Sequence, residues 1–177
     1  MTRRMMFSIF ILALAGWGAA GEPAAKHTEA DFRRAAAKFL EQPLSEEGRT
    51  AVLTILEFAE ESDKVTVVIG PWFVPWMRLG EDKKPEHLNL LLAAYTAGNV
   101  LSQLDSGVNA NDTYSATIQV FRVYRYLKSR DSSYAVPEVE TLLEIHRKGG
   151  LATHFDKAEK EGKENQDKEK AKTGAKS

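Results

Sequence analysis

VTVVIGPWFVPW, residues 65–76, is the stretch whose reading decides the fold class. Its opening run is β-branched, and KVTVVI taken alone reads as a strand. A single strand in a helical chain has nothing to pair with unless another chain supplies it. Two readings remain. In the favoured one, Asp63 caps a short helix that runs through Ile69, tolerated because tertiary burial overrides weak propensity. In the other, residues 64–69 form an extended, buried connector.

The rest of the stretch is a corner. Gly70 permits the backbone angles of a sharp turn, and Pro71 fixes the exit. Pro75 cannot sit deep in a helix but can open one, so PWMRLG is expected to form one helical turn ended by Gly80. Trp72 and Trp76 straddle its start and need not face the same way. The expectation is that both are mostly buried, as a plug at one end of a helical bundle. The alternative is an exposed aromatic lip for a sugar, peptide or lipid.

Outward from this corner the chain reads as helix after helix. Thr28 and Asp31 form a capping box ahead of Phe32, Ala35, Ala36, Phe39 and Leu40, which recur at helical spacing until Pro43. Ser45 caps a second helix, with Glu46 and Glu47 beside its N-terminal dipole and Val52, Ile55, Leu56 and Ala59 on its buried stripe. Pro85 suits the start of a third, PEHLNLLLAAYTAGNVLSQL, in which Ala94 and Gly98 lie four apart and let another helix come close. Asp112 caps a fourth, with Phe121 and Tyr124 on its apolar side. Pro137 opens a fifth, with Val139, Leu142, Leu143 and His146 facing inward, and Gly149-Gly150 ends it. LATHF (151–155) is expected to add one last turn. The predicted architecture is all-α: an irregular bundle, or stacked helical hairpins, of five to six helices. The 34-residue tetratricopeptide pattern is missing.

Both ends read differently from this body. MTRRMMFSIFILALAGWGAAG has Arg3 and Arg4, an apolar run and then small residues, the three parts of a secretory signal peptide. Residues 1–21 are therefore expected to be a leader cleaved after Gly21, with 22–155 as one all-helical domain. An uncleaved leader would be the only membrane attachment. From Asp156 to Ser177 there is no aromatic residue and no aliphatic larger than alanine, and lysines alternate with acids. Such a segment cannot bury enough apolar surface to offset its ordering entropy, so 156–177 is expected to be a disordered, solvated tail, or one helical in part. The leader implies export to a periplasm or the exterior, and a chain with no cysteine fits a bacterial envelope better than a disulfide-built secreted domain.

The chemistry is sparse. Lys plus Arg is 24 against 25 acids, so no basic surplus points to nucleic acid. The lack of cysteine removes thiol catalysis and Cys-ligated zinc. His27, His87, His146 and His154 show no ligand spacing, and no nucleophile motif or phosphate-cradling loop occurs. LDSGVNAND, with Asp105, Asn109, Asn111 and Asp112, lacks the order of a calcium loop and reads as a helix–helix linker. FRVYRYLKSR is the one basic cluster. Arg122, Arg125, Lys128 and Arg130 lie there among Tyr124 and Tyr126, a solvated face with Glu57, Glu60 and Glu61 as prospective partners. No catalytic residue, metal or cofactor is assigned.

The expected function is an exported, non-enzymatic scaffold or interaction protein with an unidentified protein or small-molecule partner. The alternative is a small-ligand or peptide-binding module lined by Trp72, Phe73, Trp76 and Tyr95, with Arg122 and Arg125 for an anionic group. An enzyme of unfamiliar type comes third.

Overall fold

The computed structural model describes residues 27–78 and 87–161. The expected leader at 1–21, Gly80, Pro85 and residues 162–177 of the expected tail lie outside them. Among the described residues the chain is all-helical, with no strand. The elements are α1 (Glu29–Glu41), α2 (Glu46–Glu61), a 3-10 turn (Pro75–Arg78), α3 (Leu88–Ser106), α4 (Thr113–Arg130), α5 (Pro137–Arg147) and α6 (151–161).

The caps sit where local chemistry puts them. The Thr28 hydroxyl accepts from the Asp31 amide, and the Asp31 carboxylate accepts from the Thr28 amide, closing the capping box of α1. Ser45 accepts from the Gly48 amide at the start of α2. Asp112 does the same for Ser115 at the start of α4. These bonds satisfy amide donors that the first helical turn leaves without an intrahelical partner.

α1 and α2 form a tight hairpin. A Cβ at position 48 would lie 2.1 Å from the Gln42 carbonyl oxygen, so only glycine fits the turn between them. Phe32 and Phe58 stack across the hairpin at 4.8 Å. α3 is the central helix. From Leu90 to Val100 nearly every side chain is buried, as an all-round apolar helix requires. It packs most extensively on α4, and also on α2 and α1. At Gly98 the two helices touch: a Cβ there would sit 2.8 Å from the Ser115 carbonyl oxygen and 2.9 Å from the Ala116 Cα. The small-residue approach read from Ala94 and Gly98 is thus present, with α4 as its partner.

α5 is held to α4 through Tyr124. Its hydroxyl donates to Glu140 at 2.7 Å and accepts from the Val136 amide, while Lys128 pairs with the same carboxylate. Of the basic cluster of α4, Lys128 thus finds its acid on α5, while Glu57 on α2 pairs with His27. α6 continues through position 155, with Leu151, Phe155 and Ala158 buried at helical spacing. No helix of the described residues is long and apolar enough to cross a membrane.

Two expectations for the opening stretch need correction. Residues 65–70 are not helical; the extended connector is what forms. Trp72 is not part of a plug, being 36% exposed, whereas Trp76 is fully buried. The physical reasons lie in the residues that hold this segment.

Candidate functional site

Tyr95, Asn99 and Gln103 follow one another at four-residue steps, so they share one face of α3. Asn109, Asn111 and Asp112 come from the α3–α4 linker. Together they form a polar cluster directed at the connector. The Thr66 amide donates to Gln103 Oε1 at 2.9 Å, and Gln103 Nε2 donates back to the Thr66 carbonyl at 2.8 Å. Two residues on, the Val68 amide donates to Asn111 Oδ1 at 2.8 Å, and the Tyr95 hydroxyl donates to the Val68 carbonyl at 3.2 Å. Asn109 adds two contacts, accepting from the Thr66 hydroxyl and donating to the Asp63 carbonyl.

This pattern defines the backbone. One side-chain amide can reach both the N–H and the C=O of a residue only where the two point the same way, as they do in a β-strand. The same side is used at 66 and again at 68, the strand period of two. Residues 65–69 therefore run extended, in the manner of a strand but with a row of side chains, not a second strand, as their neighbour. The strand reading of KVTVVI failed for want of a partner chain, and helix-borne amides supply the partner instead. Gln103 donates to Asn99 at 2.6 Å, Asn99 donates to Asn111 at 2.7 Å, and the Asp112 amide donates to Asn99, so the row is braced internally.

Charge in the cluster is held in check. Burial works to raise the Asp112 carboxyl, but the Ser102 hydroxyl and the Ser115 amide outweigh it and keep it below its ordinary range. Burial pushes the Tyr95 phenol up, so it stays a hydrogen-bond donor at neutral pH.

The connector ends in the corner. The Gly70 carbonyl accepts from the amides of Phe73 and Val74, both at 2.9 Å. That turn sends Val74 and Trp76 inward and leaves Trp72 and Met77 outside. Trp76 meets Tyr95 edge-to-face at 6.3 Å, so the inner tryptophan packs on the same tyrosine that bonds the connector.

The six residues singled out from the sequence thus divide. Trp76 and Tyr95 lie in the core, Trp72 is on the surface and Phe73 is half-buried. Arg122 and Arg125 are exposed on α4. Of the six, only Phe73 lines the open cavity of about 340 Å³ between the α3–α4 linker and α6, together with Val108, Asn111, Tyr114 and Phe155. Among the described residues no cluster of His, Asp or Glu could hold a metal ion. Asn99, Gln103, Asn109 and Asn111 were not singled out as site residues. The signal for two of them was present: amides at 99 and 103 continue the Tyr95 face of an otherwise apolar helix.

Compared with known proteins, the chain matches no family model, no curated protein and no solved structure.

Proposed function

We propose that this chain is an exported, non-enzymatic interaction protein that works through the face formed by residues 65–77. One observation carries the reading. Of the six exposed large apolar side chains among the described residues, three, Ile69 (40%), Trp72 (36%) and Met77 (45%), come from this one short run, the others being Leu53, Val108 and Tyr114. Exposed apolar side chains scattered singly are ordinary, but a cluster of them marks an interaction surface. The run is also held firmly from behind. The amides of α3 and its linker are engaged with the connector backbone and with one another, which makes the cluster a mount for a surface rather than a set of free catalytic groups. A preorganised surface binds at lower entropic cost. Export is supported by the composition of residues 1–21.

Two measurements test this reading. Mass spectrometry of the protein from its producing cell should find an N-terminus near Glu22; an intact Met1 in a cytoplasmic fraction contradicts export. A photo-crosslinking residue at position 72 or 77 should give a discrete crosslinked product in that cell, while one at Lys38 on α1 should not. Equal labelling from all three positions contradicts the assignment of the face.

A further inference from the structure

The open cavity beside the corner shares only Phe73 with the face at 65–77. At about 340 Å³ it lies at the small end of the range for ligand pockets, about 300–1,000 Å³. The α3–α4 linker and the start of α4 bring Val108, Asp112 and Tyr114 to it, and α6 brings Ala152, Phe155, Asp156 and Glu159. The α6 positions are three or four apart, so one stripe of that helix faces the cavity. That stripe sorts a run whose charges look mixed in the sequence. Asp156 and Glu159 line the cavity, whereas Lys157 and Lys160 do not, and Lys157 pairs instead with Glu161. Val108, Tyr114, Asp156 and Glu159 are all exposed, so the cavity opens to solvent.

The lining selects one kind of occupant. Phe73, Tyr114 and Phe155 supply three aromatic rings, and Asp112, Asp156 and Glu159 supply three carboxylates. No lysine, arginine or histidine is among the described residues that line it. The Asp112 carboxylate is fixed by the Ser102 hydroxyl and the Ser115 amide, which hold its pKa below the ordinary range and keep it ionised at neutral pH. A cleft lined by one sign of charge concentrates ligands of the other sign, and aromatic faces attract cations as well. A bare metal ion does not answer this lining, because no group of three acids among the described residues could hold one. The cation that meets both the carboxylates and the rings is an extended one with an apolar body. We propose that the cavity binds a small organic cation, an ammonium group carrying an apolar or aromatic body. The ammonium lies toward Asp112 and Asp156, and the body lies against Phe73, Tyr114 and Phe155. This site goes beyond the interaction face and does not depend on it.

Amide NMR of the mature chain, 22–177, titrated with benzyltrimethylammonium, tests it. Saturable shifts are expected at 108–114 and 152–159, and none along the α1–α2 hairpin. Phenylacetate, an anion with the same ring, should produce no saturable shift, and neutral benzyl alcohol should bind about tenfold more weakly than the cation. Asp156→Lys, a change at an exposed position, should weaken the cation about tenfold or more while the helical circular-dichroism spectrum stays unaltered. Tyr114→Ala should weaken it about two- to fivefold and Tyr114→Phe should not, since the phenyl ring is what a cation meets. A titration with the cation still linear at about 10 mM, well above a weak millimolar Kd, overturns the proposal. So does equal binding of phenylacetate, an affinity indifferent to D156K, or saturable shifts confined to other parts of the chain.

Discussion

Gln103→Met separates the hydrogen bonding of the connector from its packing. Methionine keeps the length and volume of glutamine and removes its amide. Gln103 is buried and joins three partners: the Thr66 amide, the Thr66 carbonyl and Asn99 Oδ1. Asn99 Oδ1 keeps the Asp112 amide, so its loss is slight. The two Thr66 groups lose the bonds shown for them, and leaving a buried polar group without a partner costs about 1–3 kcal/mol. Thr66 is only half-buried, so water recovers part of this. The expected destabilisation is about 2–3 kcal/mol, a sizeable share of a total of about 5–15 kcal/mol. Urea melts of the mature chain read it directly. Gln103→Glu adds a sign test. An ionised carboxylate would face the Thr66 carbonyl and Asn99 Oδ1, both acceptors, so its folded pKa is raised above its unfolded value. Stability is then retained below the unfolded value, about 4.3, and lost as pH rises through the folded one. Q103E should approach wild type near pH 4 and fall well below it at pH 8. A Q103M variant within about 0.5 kcal/mol of wild type, or a Q103E profile parallel to wild type, refutes the side-chain clasp.

Trp76→Ala should cost about 3–5 kcal/mol in the same melts, and Trp72→Ala no more than about 1 kcal/mol, because only the first removes a fully buried ring; equal losses would contradict the inward–outward division of the corner. Gly98→Ala should lower stability by about 1–3 kcal/mol, since its methyl would press on the α4 backbone; a neutral result would mean that α3 and α4 separate easily. Asp112 carries a depressed carboxyl pKa, so its contribution is present above the ordinary value of 3.8 and lost as pH falls below it. The stability difference between wild type and Asp112→Asn should be constant above about pH 5 and shrink on acidification, as thermal melts across that range would show.

Most of the helical body was legible because its signals are local. Thr28 with Asp31, Ser45, Asp112 and Pro137 each mark a helix start within four residues of the groups they serve, and the Ala94–Gly98 step announces a close helix contact without naming its partner. The connector was illegible for the opposite reason. What holds Val65–Ile69 extended lies at Gln103 and Asn111, 37 and 43 positions from the groups they bond. Asn109 and Asn111 looked like linker composition because a turn and a backbone clasp favour the same residue types. The facing of Trp72 and Trp76 depended on the Gly70 turn, whose hydrogen bonds only the folded chain displays. The continuation of α6 past Phe155 rests on Ala158, a residue too small to stand out in a run of charges.

Residue-resolved amide hydrogen exchange across 66–69 tests the central claim most directly, namely that this run is extended and clasped along one side by the side chains of α3 and its linker. In dilute mature protein, the Thr66 and Val68 amides should exchange slowly and those of Val67 and Ile69 quickly, an alternation with period two that no helix produces. Uniform protection of all four amides in dilute solution, or uniform rapid exchange, would contradict it.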